Sequence, residues 1–231
     1  MGHDTMMAVP SAGVVLDADV TVPADARGIV LFAHGSGSSR LSPRNRMVAG
    51  RLNGVGLATV LTDLLTADEE RRDAAGGRLR FDIGLLADRL TGVVDWIAAQ
   101  TVLTRLPLGL FGASTGAAAA LLTAADRPRH VRAVVSRGGR PDLAGPRLTE
   151  VTAPVLLIVG ELDASVLDLN RAAHHDLGGE SALWIVPGAT HLFEEPGTLD
   201  QVAGAAAQWF DRHLADFDLT LNGYLPDDDG T

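Results

Sequence analysis

The sequence contains a serine in a glycine-flanked pattern that is typical of a catalytic nucleophile. The pentapeptide Gly112-Ala113-Ser114-Thr115-Gly116 matches the pattern G-x-S-x-G, and it links an apolar segment, 108–111, to an alanine-rich segment, 114–125. A sharp turn from a strand into a helix exposes the hydroxyl of such a serine, and glycines avoid clashes in so tight a turn. Because the pentapeptide alone is a weak signal, the rest of the chain must supply the other groups that the chemistry needs.

A serine hydroxyl attacks a carbonyl only when a base removes its proton and a third group orients that base. His191 follows the apolar segment 182–186 by five residues, and Asp163 follows the apolar segment 154–159 by four residues. Each of the three side chains would then lie just beyond the end of a predicted strand, in the chain order serine, aspartate, histidine. This combination is far more specific than the pentapeptide, and it indicates acyl transfer.

Acyl transfer also needs hydrogen-bond donors for the oxygen that becomes negatively charged. We predict that one donor is the backbone N–H of Thr115, directly after the nucleophile. The loop after the apolar segment 28–33 reads HGSGSS at 34–39, and its glycines let backbone amides approach a ligand closely. We assign the second donor to Ser36 and keep Gly37 as the alternate.

Other residues compete for these roles. Glu161 and Asp168 are alternatives to Asp163 as the acid that orients the histidine. The histidines that compete with His191 are His3, His34, His130, His174, His175 and His213. Of these, His34 is predicted to be structural, and no set of histidines has zinc-binding spacing. The chain has no phosphate-loop pattern and no complete dinucleotide fingerprint, so we expect neither a metal nor a cofactor.

Apolar segments that alternate with helical patterns predict the elements that position these groups. The predicted strands are 14–22, 28–33, 58–61, 108–111, 131–135, 154–159 and 182–186. Predicted helices start at Asp82, cover 114–125 and close the fold at 199–214, whereas the polar stretch 66–78 is predicted to be an exposed loop. Such alternation indicates an α/β fold with a mostly parallel sheet and helices on both faces, whose active site lies at the carboxyl ends of the strands.

The chain is predicted to form one domain over 1–231, with its core at about 14–214. The stretch 136–153 is too short to hold an inserted cap domain. Residues 106–125 carry no charge, but Pro107 and several glycines favour a strand followed by a helix over a membrane span. The end of the chain, 215–231, is predicted to be an acidic tail or an extra edge strand.

Composition narrows the possible partners. The 231 residues are 46% hydrophobic and carry a net charge of −10, which disfavours a nucleic-acid partner. Cysteine is absent, so disulfides and a cysteine nucleophile are excluded. The first residues contain no signal-peptide pattern, and we expect a cytoplasmic protein that does not bind membranes and could form a homodimer. Its partner is expected to be a small-molecule ester or lactone.

Four segments resemble the α/β-hydrolase superfamily and, within it, the group related to dienelactone hydrolases. They are FAHGSGSS at 32–39, FGASTGAAAAL at 111–121, APVLLIVGELD at 153–163 and VPGATHLFEEPG at 186–197. The resemblance implies hydrolysis of carboxylic esters or lactones without a cofactor, and it favours Asp163 over the other acids. One difference matters: dienelactone hydrolases proper use a cysteine nucleophile, whereas this chain offers Ser114, which favours a general serine esterase.

Two arginines follow the predicted strand 131–135. Arg137 and Arg140 stand on the glycine-rich loop SRGGR, at the edge of the sheet where the site is expected. Guanidinium groups match the geometry of a carboxylate, and the related dienelactone hydrolases act on an anionic lactone. We therefore predict that Arg137 and Arg140 bind a substrate carboxylate; the competing hypothesis is a structural ion pair at Arg137 and a solvated Arg140.

Overall fold

Eight strands form a single sheet in the computed structural model, which describes residues 3–101 and 103–214. The strands are β1 (His3–Ser11), β2 (Val14–Val22), β3 (Gly28–Ala33), β4 (Leu57–Thr62), β5 (Leu108–Ala113), β6 (Val131–Arg137), β7 (Val155–Gly160) and β8 (Ser181–Val186). Their order across the sheet is β1-β2-β4-β3-β5-β6-β7-β8. The β2 strand runs antiparallel to both of its neighbours, and all strands from β4 to β8 are parallel.

Helices cover both faces of the sheet, as predicted. They are α1 (Pro43–Asn53), α2 (Ala67–Ala74), α3 (Ile83–Ala99), α4 (Thr115–Asp126), α5 (Ala164–Asp176) and α6 (Thr198–Leu214). Helices α1 and α6 pack on one face, and α3 and α4 pack on the other. The central strands β3, β4, β5 and β7 are buried along their whole length, which is why they read as continuous apolar runs in the sequence.

The uncharged stretch 106–125 forms a strand followed by a helix, as predicted. It forms β5 and then α4, separated only by Ser114. Among the helices of the described ranges, none has the length and apolar character needed to cross a membrane.

Three parts of the fold differ from the predictions. Helix α1 was not among the predicted helices. The stretch 66–78 is not simply a loop, because it contains α2; Thr66 and Glu69 form a reciprocal capping box that stabilises this polar helix. The sheet also begins earlier than residue 14, since β1 pairs with β2 through a two-residue turn in which Ala12 and Gly13 both have positive φ. As an edge strand, β1 tolerates Pro10.

No cap domain interrupts the chain between β6 and β7. That connection holds only short 3-10 turns over Pro141–Glu150, with a kink at Gly145, where φ is 58°. The carboxyl edge of the sheet is therefore not covered by an insertion at this point. The predicted tail or edge strand at 215–231 lies outside the described residues.

Candidate active site

Ser114 occupies the strained turn that a nucleophile elbow requires. Its φ of 51° and ψ of −121° are rare for a residue with a side chain, and such a conformation costs on the order of 1–3 kcal/mol. Glycines on both sides make the turn possible. A β-carbon on Gly112 would lie 2.4 Å from Cα of Ala117, and one on Gly116 would lie 2.3 Å from the carbonyl oxygen of Ala33.

Replacing Gly116 with alanine is expected to destabilise the protein by roughly 2–3 kcal/mol, because the new methyl group meets backbone atoms that cannot move aside. Gly204 in α6 is the matched control: a β-carbon there meets nothing within 4 Å, so Gly204→Ala should be neutral or stabilise the fold by about 0.5–1 kcal/mol. Urea unfolding of both variants measures the difference. Equal stability of the two variants would contradict the close packing of the elbow.

Backbone hydrogen bonds tie the elbow to the segment after β6. The Ser114 N–H donates to the carbonyl oxygen of Arg137 at 3.3 Å, and the Ser114 carbonyl accepts from the N–H groups of Arg140 at 3.0 Å and Ala117 at 3.1 Å. The segment 137–140 therefore holds the nucleophile from outside its own strand and helix.

His191 and Asp163 meet as the sequence predicted. Their side chains lie 2.5 Å apart, from Nδ1 of His191 to Oδ2 of Asp163. Asp163 occupies the N-cap position of α5, yet its carboxylate does not cap that helix; it accepts the histidine N–H instead. This contact places the imidazole proton on Nδ1 and leaves Nε2 as the basic nitrogen.

The two rival acids have other partners. Glu161 accepts a hydrogen bond from the backbone N–H of Gly188 at 2.8 Å. Asp168 forms a salt bridge with Arg171, three residues later on the exposed face of α5. Only Asp163, among these three acids, contacts the imidazole.

The loop that carries His191 is braced by residues that the sequence analysis missed. Glu195 accepts hydrogen bonds from both the N–H and the hydroxyl of Thr190, at 3.1 Å and 2.6 Å. Phe193 is 2% exposed and has a φ of 55°, which is unusual for a bulky residue. Buried packing and the Glu195 contacts thus hold a strained loop. In the sequence, this bracing was indicated only by two acidic residues, Glu194 and Glu195, shortly after His191.

The same segment after β6 also approaches the histidine. A β-carbon on Gly138 would lie 3.5 Å from Cε1 and Nδ1 of the His191 ring. The segment 137–140 therefore touches both the backbone of Ser114 and the imidazole of His191. Both residues therefore contact this segment, but within the described residues no hydrogen bond joins the Ser114 hydroxyl to the His191 ring.

The predicted oxyanion loop lies against the elbow, but one donor is occupied. The N–H of Ser36 donates to Oγ1 of Thr115 at 2.9 Å. This amide was predicted to be available to an oxyanion, but in the structure it already has an acceptor. It can serve a bound oxyanion only by leaving the Thr115 hydroxyl. The Thr115 amide begins α4, where helix N–H groups have no partner within the helix. The alternate donor, Gly37, has a φ of 72° in the same loop.

His34 contacts the backbone through both ring nitrogens, which fits the structural role predicted for it. Its Nε2 accepts from the N–H of Leu64 at 3.1 Å, and its Nδ1 faces the carbonyl oxygen of Gly35 at 3.0 Å. Burial lowers the pKa of His34, which keeps the ring neutral. The histidine thereby fixes the start of the oxyanion loop.

The profile of the dienelactone hydrolase family matches residues 16–219, which is most of the chain. The chain belongs to the dienelactone hydrolase family. Solved structures agree: a dienelactone hydrolase from Anabaena variabilis is 52% identical, with a TM-score of 0.91 and coverage of 92% of this chain and 99% of that chain. The family and its fold are those of hydrolases.

More distant structures share the fold alone. Est1E from Butyrivibrio proteoclasticus has a TM-score of 0.76 at 17% identity, and the match covers 91% of this chain and 99% of that chain. The α/β-hydrolase fold inferred from the sequence segments is confirmed.

The curated relatives carry a different name. Two strains of Mycobacterium tuberculosis have a protein named "Putative phosphoribosyl transferase", 57% identical to this chain over 212 residues. The match covers 92% of this chain but 47% of each relative. The chain thus spans about half the length of the curated relatives it matches.

The two arginines predicted to bind substrate have different surroundings in this family member. Arg140 forms a bidentate ion pair with Asp142, in which both N–O distances are 2.8 Å. Arg137 is buried, and no salt bridge joins it to an acid in the described part of the chain. The structure therefore reverses the competing hypothesis, which paired Arg137 and left Arg140 solvated.

A cleft of about 510 Å³ opens beside the oxyanion loop. Its walls include the whole loop 34–39, the apolar side chains of Leu65 and Leu86, and Arg44 from the first turn of α1. Across the described ranges, no cluster of three or more side chains is arranged to bind a metal ion.

Proposed function

We propose that this protein hydrolyses carboxylic esters through an acyl-enzyme formed on Ser114. The observation that carries the proposal is the 2.5 Å contact between His191 and Asp163, combined with a serine held at a positive φ. A structural serine would not need such strain, and a surface histidine would not need a partly buried carboxylate on its Nδ1. Side-chain exposures of 38% for His191 and 12% for Asp163 suit a base that faces substrate and an acid that lies behind it.

In the proposed mechanism, Nε2 of His191 takes the proton of Ser114 as the serine oxygen attacks the ester carbonyl. The Thr115 N–H and an amide of the loop 35–38 stabilise the oxyanion. The protonated imidazole then gives its proton to the leaving alcohol. Water repeats these steps on the acyl-enzyme, which releases the acid and restores the serine, while Asp163 holds the imidazole and stabilises its charged form.

A lactone is a cyclic ester, so lactone opening on the same triad is the second candidate. It is favoured by the 52% identity to a protein named dienelactone hydrolase. Against the dienelactone itself stands the nucleophile, which is serine here and cysteine in dienelactone hydrolases proper. Other acyl transfers, such as perhydrolysis, would use the same groups, whereas a binding protein with an inert triad would turn over no ester.

Phosphoribosyl transfer has less support from this chain. The name belongs to relatives of about twice its length, and the matched half carries the hydrolase profile. Strain at Ser114 and the histidine–aspartate contact serve nucleophilic attack on a carbonyl; phosphoribosyl transfer has no step that needs them. We therefore assign ester hydrolysis to the residues described here.

We expect a preference for short or water-soluble acyl groups, because the connection between β6 and β7 holds no cap domain that could supply a lipid-binding groove over the site. The measurement is kcat/KM for p-nitrophenyl esters from acetate to palmitate, each followed through its solubility limit. Rates should fall with chain length and show no jump when the ester aggregates. A maximum at palmitate, with a jump at aggregation, would mean that a lipid groove exists.

A further inference from the structure

The Thr115 hydroxyl has a proton for which the described residues offer no acceptor. Thr115 is the first residue of α4, directly after Ser114, and is 5% exposed. Its Oγ1 accepts a hydrogen bond from the N–H of Ser36 at 2.9 Å. Within the part of the chain that the structure describes, the hydroxyl donates to no other atom. One of the two hydrogen-bonding functions of this buried group is therefore unused.

A second threonine of the same helix shows the usual arrangement. Thr123 is completely buried, and its hydroxyl accepts from that of Thr91 at 3.1 Å and donates to the carbonyl oxygen of Ala87 at 3.4 Å. Buried hydroxyl groups nearly always find partners of this kind, because a buried donor without an acceptor destabilises the fold. An oxygen of a bound substrate would satisfy the free proton of Thr115.

The covalent structure of Thr115 keeps its hydroxyl close to the expected oxyanion. The hydroxyl oxygen is three bonds from the backbone nitrogen of the same residue, so the two atoms stay within about 4 Å of each other in every rotamer. That N–H is the donor expected directly after the nucleophile, and the Ser36 N–H is the donor expected from the facing loop. Oγ1 thus lies between the two amides that were predicted to bind the oxyanion.

Close packing holds the loop and the elbow in this arrangement. A β-carbon on Gly35 would lie 2.9 Å from Cβ of Ser114, and one on Gly116 would lie 2.5 Å from the carbonyl oxygen of His34. The oxyanion loop therefore has no space to move closer to the elbow. A direct contact between the loop amide and an oxyanion would break its hydrogen bond to Thr115, whereas a contact through the hydroxyl keeps that bond.

We propose that the Thr115 hydroxyl is a catalytic donor: it accepts the Ser36 N–H and donates a hydrogen bond to the oxygen of the reacting carbonyl. As the Ser114 oxygen bonds to the carbonyl carbon, its proton passes to Nε2 of His191, and the π electrons of the carbonyl move to the carbonyl oxygen. The Thr115 N–H and O–H stabilise the resulting negative charge, and the hydroxyl keeps its own proton throughout. This role rests on the proposed ester hydrolysis.

The Ser36 amide then contributes through the hydroxyl, because a hydroxyl that accepts one hydrogen bond becomes a stronger donor of another. The alternate amide, that of Gly37, remains available as the direct donor of the loop, since it donates to no acceptor among the described residues. The Thr115 hydroxyl thus adds to the two backbone donors that a nucleophile elbow ordinarily provides.

Thr115→Val tests the hydroxyl with little change of shape. With p-nitrophenyl acetate, kcat should fall roughly 10²- to 10³-fold, the usual effect of removing one oxyanion donor. Acylation and deacylation both pass through an oxyanion, so both should slow and KM should change little. Thr115→Ser keeps the hydroxyl and should stay within about tenfold of the unmodified protein.

The competing arrangement predicts the opposite result. If the Ser36 amide itself binds the oxyanion, the Thr115 hydroxyl blocks that amide, and Thr115→Val would leave kcat unchanged or raise it. That outcome, or an equal loss in Thr115→Ser, would overturn the catalytic role and leave the proposed ester hydrolysis intact. An unmodified protein that hydrolyses no p-nitrophenyl ester would refute both proposals.

Thr123→Val is the matched control, because it removes a buried hydroxyl from the same helix but away from the elbow. It loses contacts with Ala87 and Thr91, so its melting temperature should fall at least as far as that of Thr115→Val. Its kcat should stay close to that of the unmodified protein. A similar loss of kcat in Thr123→Val and Thr115→Val would assign the effect to helix stability, and the catalytic role would fail.

An alkyl trifluoromethyl ketone measures oxyanion binding without turnover. Such a ketone adds reversibly to a serine nucleophile and gives a tetrahedral adduct with a negatively charged oxygen. Its inhibition constant should rise in Thr115→Val by roughly the factor by which kcat/KM falls, whereas Thr115→Ser and Thr123→Val should bind it nearly as well as the unmodified protein. An unchanged inhibition constant in Thr115→Val would overturn the assignment.

Discussion

Ser114→Ala is expected to lower kcat for p-nitrophenyl acetate by a factor on the order of 10⁴ or more, because the covalent route closes when the hydroxyl is removed. The fold should be kept, since alanine is smaller than serine and the Ser114 side chain makes no hydrogen bond that the N-cap of α4 requires. Initial rates with active-site titration measure the loss, and thermal unfolding checks the fold.

Covalent labelling provides the second measurement for Ser114. An organophosphonate should add one adduct to the unmodified protein, and peptide mass spectrometry should map it to Ser114. Ser38→Ala is the control, because Ser38 lines the cleft beside the oxyanion loop but lies outside the elbow, and this variant should label fully. Full labelling of Ser114→Ala would show that another residue is the nucleophile.

The sequence predicted most of the sheet because its central strands are buried on both faces. A segment such as 28–33 or 155–160 has no polar residue to place in water, so its apolar run can only be a covered strand or helix, and its length selects the strand. The α2 helix was missed for the opposite reason. Its surface is polar, and its stability comes from the capping box of Thr66 and Glu69 rather than from an apolar stripe.

The triad could be proposed from spacing because each residue follows a strand end, and parallel strands bring their carboxyl ends to one edge. Hydrogen-bond partners could not be predicted from the spacing of residues in the sequence. The hydrogen bond from Ser36 to the Thr115 hydroxyl and the ion pair between Asp142 and Arg140 both depend on loop conformation. Loop conformation here depends on single residues with positive φ, such as Gly37, Gly138 and Phe193.

Asp163→Asn should lower kcat by a factor on the order of 10⁴ although the side chain keeps its shape. An amide cannot stabilise the positive charge that the imidazole gains when it takes the serine proton. It can also donate to Nδ1, which would turn the basic nitrogen away from Ser114. Because His191 and Ser114 are unchanged, the loss would belong to the aspartate contact at 2.5 Å and not to the nucleophile.

Glu161→Gln is the control that separates Asp163, the acid proposed to support His191, from its neighbour. Both acids follow β7, but among the described residues Glu161 accepts a hydrogen bond only from the Gly188 N–H, and a glutamine oxygen can accept the same bond. Its kcat should therefore stay within a few-fold of the unmodified protein. If Glu161→Gln lost as much activity as Asp163→Asn, the acid that supports His191 could not be told from its neighbour, and the assignment would fail. A large loss in Asp163→Asn alone, with phosphonate labelling of Ser114 slowed in parallel, would tie the aspartate to activation of the serine through the histidine.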